Sequence, residues 1–187
     1  MGIIVISFPG CGKSHMIEAY GTKIRILDAF KELAPQDVDV QYDYGKFADD
    51  TMKAVGDYDI VFIPAGKEFV DAFNEKGIDY DIFYPSKERR NEFIENLVRK
   101  RVPFKNIMFF DRSFDKMVDD IDGIDYANCY KHKMSENGQY IGNDASIVSY
   151  VNNLLKKPVS DEKRGTMEES SGGGEHHEGH EEGDARA

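Results

Sequence analysis

A lysine and a serine stand together at Lys13-Ser14, directly after the turn Pro9-Gly10-Cys11-Gly12 and before His15. Phosphate oxygens need several donors converging on one point, and successive backbone N–H groups in a tight turn supply them. Gly10 and Gly12 permit backbone angles and a close ligand approach that a Cβ would block. A helix starting near Lys13 adds free N–H groups and the positive end of its dipole. The Lys13 ammonium can then reach the β- and γ-phosphates of ATP, and the Ser14 hydroxyl can ligate Mg²⁺. Pro9 to His15 are therefore the expected nucleotide-binding residues. The template G-x-x-x-x-G-K-[ST] is met except at its first position, where Ser7 replaces glycine.

A second chemical residue is Asp28. It ends an apolar run, Lys23-Ile24-Arg25-Ile26-Leu27, and so falls at the carboxyl end of an expected strand. There it can share the Mg²⁺ with Ser14 or take a proton from an acceptor hydroxyl. The competing role is capping of a helix over Ala29 to Ala34. Basic side chains concentrate between Lys87 and Arg101, where Lys87, Arg90 and Arg101 project near the apolar positions Ile94 and Leu97. Two helices broken at Val102-Pro103 and carrying arginines form an expected lid, with Arg90 and Arg101 neutralising a transferring phosphoryl group. The alternative is an ordinary solvated helix face. Tyr42, Tyr44 and Phe47 are either core residues or a stacking surface for a base.

The elements that must position these groups alternate. Ile3 to Ser7 forms the first expected strand, followed by Lys23–Leu27, Tyr58–Pro64, Asp79–Pro85 and a weaker Tyr126–Tyr130. Helices are expected near Asp43–Val55, Lys67–Lys76, Lys87–Lys100, Phe104–Asp120 and Ala145–Leu155, the last capped by Asp144. Such alternation predicts an α/β fold, a parallel sheet of about five strands flanked by helices, with ligands outside the carboxyl ends of the strands. The third strand ends in Pro64 rather than the aspartate of a Walker-B strand, which argues against large motor-type ATPases.

At 187 residues the chain can bury one substantial core. No apolar run approaches the ~18 residues of a membrane span, and no charged region precedes the first strand as in a signal peptide. Two distant cysteines, Cys11 and Cys129, fit free thiols in a cytosolic protein. Of the net charge of −11, the stretch 161–187 supplies −6. That acidic, Gly- and His-rich stretch has no hydrophobic periodicity. We expect a folded domain over 1–157 and a disordered tail over 158–187. His176, His177 and His180 lie in it, but a disordered segment offers no preformed metal site.

The run Ser-Phe-Pro-Gly-Cys-Gly-Lys-Ser-His resembles the phosphate loop of small P-loop nucleotide kinases, many of them phage-encoded and similar to adenylate and thymidylate kinases. Ile26-Leu27-Asp28, Val61 to Glu68 and Ile82 to Pro85 also look like that group's strand ends. The likeness extends in particular to the phage kinases that phosphorylate 5-hydroxymethyluracil in DNA. An Asp at the end of the second strand resembles the general base of polynucleotide kinases. The resemblance implies an ATP- and Mg²⁺-dependent phosphotransferase with a nucleotide or DNA acceptor, working in the (host) cytoplasm. No membrane association is expected from the sequence, and no obligate protein partner is inferred. A free nucleoside monophosphate as acceptor, or a nucleotide-binding switch without transfer, are the alternatives.

Overall fold

The computed structural model describes residues 2–33 and 43–156; the expected tail, Ala34 and Tyr42 lie outside them. The described residues up to Leu155 belong to one compact unit. Five parallel strands form one sheet in the order β2-β3-β1-β4-β5. They are β1 (Ile3–Ser7), β2 (Ile26–Asp28), β3 (Ile60–Pro64), β4 (Tyr80–Pro85) and β5 (Cys129–Met134). The helices are α1 (Lys13–Tyr20), α2 (Ala29–Leu33), α3 (Tyr44–Ala54), α4 (Lys67–Glu75), α5 (Arg90–Arg99), α6 (Phe104–Asp122) and α7 (Ala145–Lys156). Short 3₁₀ turns at Lys87–Arg89 and Ile141–Asn143 precede α5 and α7. No helix among the described residues is long and apolar enough to cross a membrane.

β1 is central because its residues suit burial on both faces. Val5, Ile6 and all of Ile60–Ile63 in β3 are fully buried, as parallel strands covered by helices require. β2 begins three residues later than its apolar run suggests, and Asp28 itself pairs with Phe62 in the ladder. β5 also lies downstream of its expected position. It is an edge strand, Cys-Tyr-Lys-His-Lys-Met, whose polar side chains hide it from a hydrophobicity pattern. Lys131 and Lys133 reach from it to the end of α6, at the Asp122 and Ile124 carbonyls and the Asp122 carboxylate.

Local chemistry fixes the helix starts. Asp43 accepts from the Lys46 amide at 2.8 Å and opens α3. Asp144 accepts from the Ser146 amide at 2.9 Å and opens α7, as expected. Tyr44 and Phe47 settle as core: both pack edge-on against Phe69, at 5.0 and 5.2 Å between ring centroids. Phe8, Phe93 and Phe114 form a buried trio with centroids 5.1–6.3 Å apart, which ties α5 and α6 to the segment after β1.

Candidate functional site

Sheet order decides where a ligand can enter. The chain leaves β1 towards β2, whereas it leaves both neighbours, β3 and β4, towards the opposite edge. The carboxyl end of β1 is thus a topological switch point, where an open parallel sheet leaves a crevice. The segment in that crevice is Phe8 to Ser14.

Its backbone has the shape that its glycines permit. Gly10 and Gly12 have φ of 90° and 99°, a region L side chains avoid. A Cβ on Gly10 would come within 3.0 Å of the Phe93 ring, and one on Gly12 within 3.2 Å of Tyr140. Ser7 departs from the template without strain. It is a buried strand residue paired with Pro64 and Phe83, and Arg101 is the single non-glycine with positive φ among the described residues. Cys11 holds the turn: its amide donates to the Phe8 carbonyl at 3.2 Å and its thiol faces the Phe83 carbonyl at 3.4 Å. Burial pushes that thiol well above its ordinary pKa, although the Phe8 backbone and the charges of Arg89 and Lys100 pull the other way. Cys11 is an inert filler in its protonated form.

Beyond Gly12 the chain enters α1. Among the described residues the amides of Gly12, Lys13, Ser14 and His15 meet no hydrogen-bond acceptor. Four donors and the positive helix end therefore gather beside the crevice, an arrangement suited to an anion. Ser14 and His15 are exposed. Lys13 Nζ lies 2.7 Å from Asp28 Oδ2, so the two charged residues singled out in the sequence meet. The other oxygen, Asp28 Oδ1, is buried with no hydrogen-bond partner. An orphaned carboxylate oxygen at this position fits a cation or a hydroxyl donor. Among the described residues no amide of α2 donates to the Asp28 carboxylate. No group of three or more His, Cys, Asp or Glu gathers as a metal site among the described residues. A cation held by Ser14 and Asp28 would need oxygens from a ligand.

The expected arginines are placed differently. Arg90 turns to α6, with Nε 3.1 Å from Asp111 Oδ1 and a second carboxylate, Asp115, at 3.9 Å. Lys87 likewise reaches Asp119 at 2.6 Å. These cations follow the apolar stripe of α5 because acids of α6 pack against it, and both are turned to α6 rather than to the crevice. Arg101 forms the break between α5 and α6, exposed, at φ 55°.

Sequence reasoning missed the wall of the crevice. Arg89 is almost fully buried, bidentate to Glu92 at 2.9 and 2.7 Å, and donates to the Gln139 carbonyl at 2.8 Å. Its guanidinium lies over the Phe93 and Tyr140 rings. Tyr140 in turn donates to Glu92 at 2.5 Å and accepts from Asn96 at 2.8 Å. The Arg89 bond holds the Glu92 carboxyl down to about 2. This network clamps Gln139–Ile141 over Gly12, and the Ile141 amide donates to the Cys11 carbonyl at 3.0 Å. An aromatic in the turn Asn137-Gly138-Gln139-Tyr140 was the available signal.

Three cavities among the described residues border the crevice: one of about 530 Å³ is lined by Ser14, Asp28, Ile17 and Leu27 themselves, and two smaller ones flank it. One, of about 300 Å³, lies at the carboxyl end of β5 beside Tyr140 and is lined by His132, Met134, Gln139 and Asn143. The other, of about 340 Å³, runs from Ala65–Lys67 after β3 between α4 and α6, over Val70, Met117 and Ile121. The Ala65 amide donates to the Ser7 carbonyl at 3.0 Å, which joins this last cavity to the loop after β1.

His132 contributes a pH response. Its Nε2 is 2.6 Å from Asp81 Oδ1, its Nδ1 is 3.7 Å from Asp144 Oδ2, and its ring stacks on Phe83. The hydrogen bond to Asp81, with the charges of Asp81 and Asp144, raises its pKa from the ordinary value despite burial. A raised histidine stabilises fully below the unfolded-state value of about 6.5 and loses that contribution as pH rises through its folded-state value. Thermal unfolding across pH 5.5–8.5 should show melting temperature declining by a few degrees above neutrality. The decline should flatten in Asp81→Asn; an unchanged slope would contradict this role.

No known family model matches the chain, and no curated protein matches it.

Proposed function

We propose that the chain is a P-loop phosphotransferase that moves the γ-phosphoryl group of ATP to a nucleotide-type acceptor. The observation that carries this reading is the loop from Gly10 to Ser14. Two positive-φ glycines, Lys13 and four amides with no acceptor among the described residues lie together at the switch point of a parallel sheet. The cavity beside Tyr140 suits the ATP base, and the cavity that Ser14 and Asp28 line leaves room for an acceptor beside Asp28.

The Lys13–Asp28 pair supports a coupled mechanism. When the β- and γ-phosphates draw Lys13 onto themselves, Asp28 loses its cation and can accept a proton. An acceptor hydroxyl gives that proton to Asp28, and its oxygen bonds to the γ-phosphorus. The bond between that phosphorus and the β–γ bridging oxygen breaks, and ADP leaves. Ser14 is the residue that would hold Mg²⁺, which neutralises phosphate charge when bound; Asp28 would be its second protein ligand in the alternative where the acceptor needs no base. A monophosphate acceptor is already a nucleophile and needs no strong base. Asp28 therefore favours an alcohol, and the hydroxymethyl group of 5-hydroxymethyluracil in phage DNA is the acceptor that the resemblance implies.

The test is ATP turnover with and without acceptor. Turnover that rises only with an acceptor present supports a kinase. Acceptor-independent turnover, or tight ATP binding with no transfer, points instead to a nucleotide-binding switch.

A further inference from the structure

Charges on this protein are mostly spent internally. Lys46, Lys53, Lys67, Lys76, Lys87, Arg90, Lys116 and Lys133 all meet carboxylates. The hairpin of α5 and α6 pairs Arg90, Arg99 and Lys116 in the same way, yet it also holds the largest group of cations left over among the described residues. Within it the side chains of Lys100, Arg101, Lys105 and Arg112 have no hydrogen-bond or ion-pair partner among the described residues, although the whole chain carries −11. The acids Asp111 and Asp115 of the same hairpin are turned to Arg90.

The same hairpin exposes the most apolar surface. Phe104 is 75% exposed, Phe109 60% and Val98 56%, the three highest values among the exposed large hydrophobics. On α6, Lys105, Phe109 and Arg112 follow a spacing of i, i+4, i+7 and share one face. That face lies opposite Phe114, Val118 and Ile121, which enter the core. Phe109 touches Phe110 edge-on at 5.6 Å yet stays largely exposed, so this cation–aromatic–cation stripe on the solvent side of a helix contributes little to packing. It matches a partner with regularly spaced negative charges and flat rings between them.

We propose that the outward face of the α5–α6 hairpin docks single-stranded nucleic acid, with Lys100, Arg101, Lys105 and Arg112 on phosphates and Phe104 and Phe109 stacked on bases. Single strands suit it better than duplex, because stacking on an exposed ring needs a base freed from its neighbours. Charge complementarity picks the partner: Asp119 and Asp120 on the same side of α6 are held by Lys87 and Lys116, so the four cations without a partner among the described residues are left for a polyanion, and two phenylalanines favour one with π-faces. Docking itself does not require phosphotransfer. That the docked strand carries the acceptor rests on the reading above.

Fluorescence anisotropy of a labelled 20-mer of thymidylate with the full chain, without ATP, tests the docking. Binding is expected with a log K against log salt slope near −3, from about 0.7 per phosphate contact. Phe109→Ala should weaken it about tenfold. Lys105→Glu with Arg112→Glu should weaken it further and reduce the slope by about 1.4. Lys23→Glu with Lys156→Glu changes the net charge equally on other elements and should act far less. All these residues are exposed or half-buried, and melting curves confirm that the variants fold. Absence of binding, equal loss in both charge-reversal pairs, or preference for a 20-bp duplex overturns the proposal. So does binding only to phosphatidylglycerol vesicles, or a dimer dissolved by Phe109→Ala. Oligonucleotide binding without any phosphotransfer would leave the hairpin assignment standing and sink the kinase reading instead.

Discussion

Lys13→Ala is expected to lose phosphotransfer by 10³-fold or more while keeping the fold. Charged groups that act on a transferring phosphoryl contribute on this order, and Lys13 is the cation at the mouth of the loop. Its side chain is partly exposed and meets a carboxylate rather than core. The substitution therefore removes no apolar packing. It leaves Asp28, already short of one partner at Oδ1, without its cation. A modest fall in melting temperature should accompany the loss of activity. The checks are single-turnover transfer, far-UV circular dichroism and a melting curve on the same preparation. Activity within tenfold of the parent would remove the loop from the chemistry.

Asp28→Asn separates three roles that the geometry leaves to one carboxylate. Asparagine keeps the size and most of the hydrogen bonding but neither the charge nor the basicity. As general base for an alcohol, Asp28 should be worth about 10²–10⁴-fold in transfer. ATP affinity should be kept or improved, because Lys13 no longer has a competing anion at 2.7 Å. As a Mg²⁺ holder, its loss should be partly recovered at higher Mg²⁺. As a mere partner for Lys13, it should leave the rate nearly untouched. Single-turnover transfer at saturating ATP, run over Mg²⁺ and over pH, distinguishes these cases. Near-parental transfer to every acceptor would also withdraw the reason for preferring an alcohol.

The loop and the sheet were legible because each rests on local rules. Positive φ at Gly10 and Gly12 follows from glycine's missing Cβ, and buried parallel strands must read as β-branched runs. Asp144 capped where an Asx residue before an apolar period should. What failed depends on which helix packs where. The side of α5 bearing Lys87 and Arg90 read as a cleft edge, yet α6 lays Asp111 and Asp119 against it. Nothing in either helix alone reveals that register. Tyr44 and Phe47 meet Phe69 across more than twenty residues of chain, so their choice between core and platform is a tertiary fact. Tyr140 reaches Gly12 from a segment with no periodicity, after the chain has left the carboxyl end of β5. The edge strand was shifted because its lysines are paid in polar contacts with α6 rather than in burial.

The most direct test of the central claim follows the phosphate itself. The wild-type chain is mixed with γ-labelled ATP and Mg²⁺. The acceptor is free nucleoside monophosphate, unmodified DNA, or DNA bearing 5-hydroxymethyluracil. Label should pass from ATP to an acceptor, with the hydroxymethylated DNA as the preferred one and Lys13→Ala silent throughout. Transfer to monophosphate alone would keep the phosphotransferase and move its acceptor. Label that reaches no acceptor, and only water or no product at all, would contradict the account.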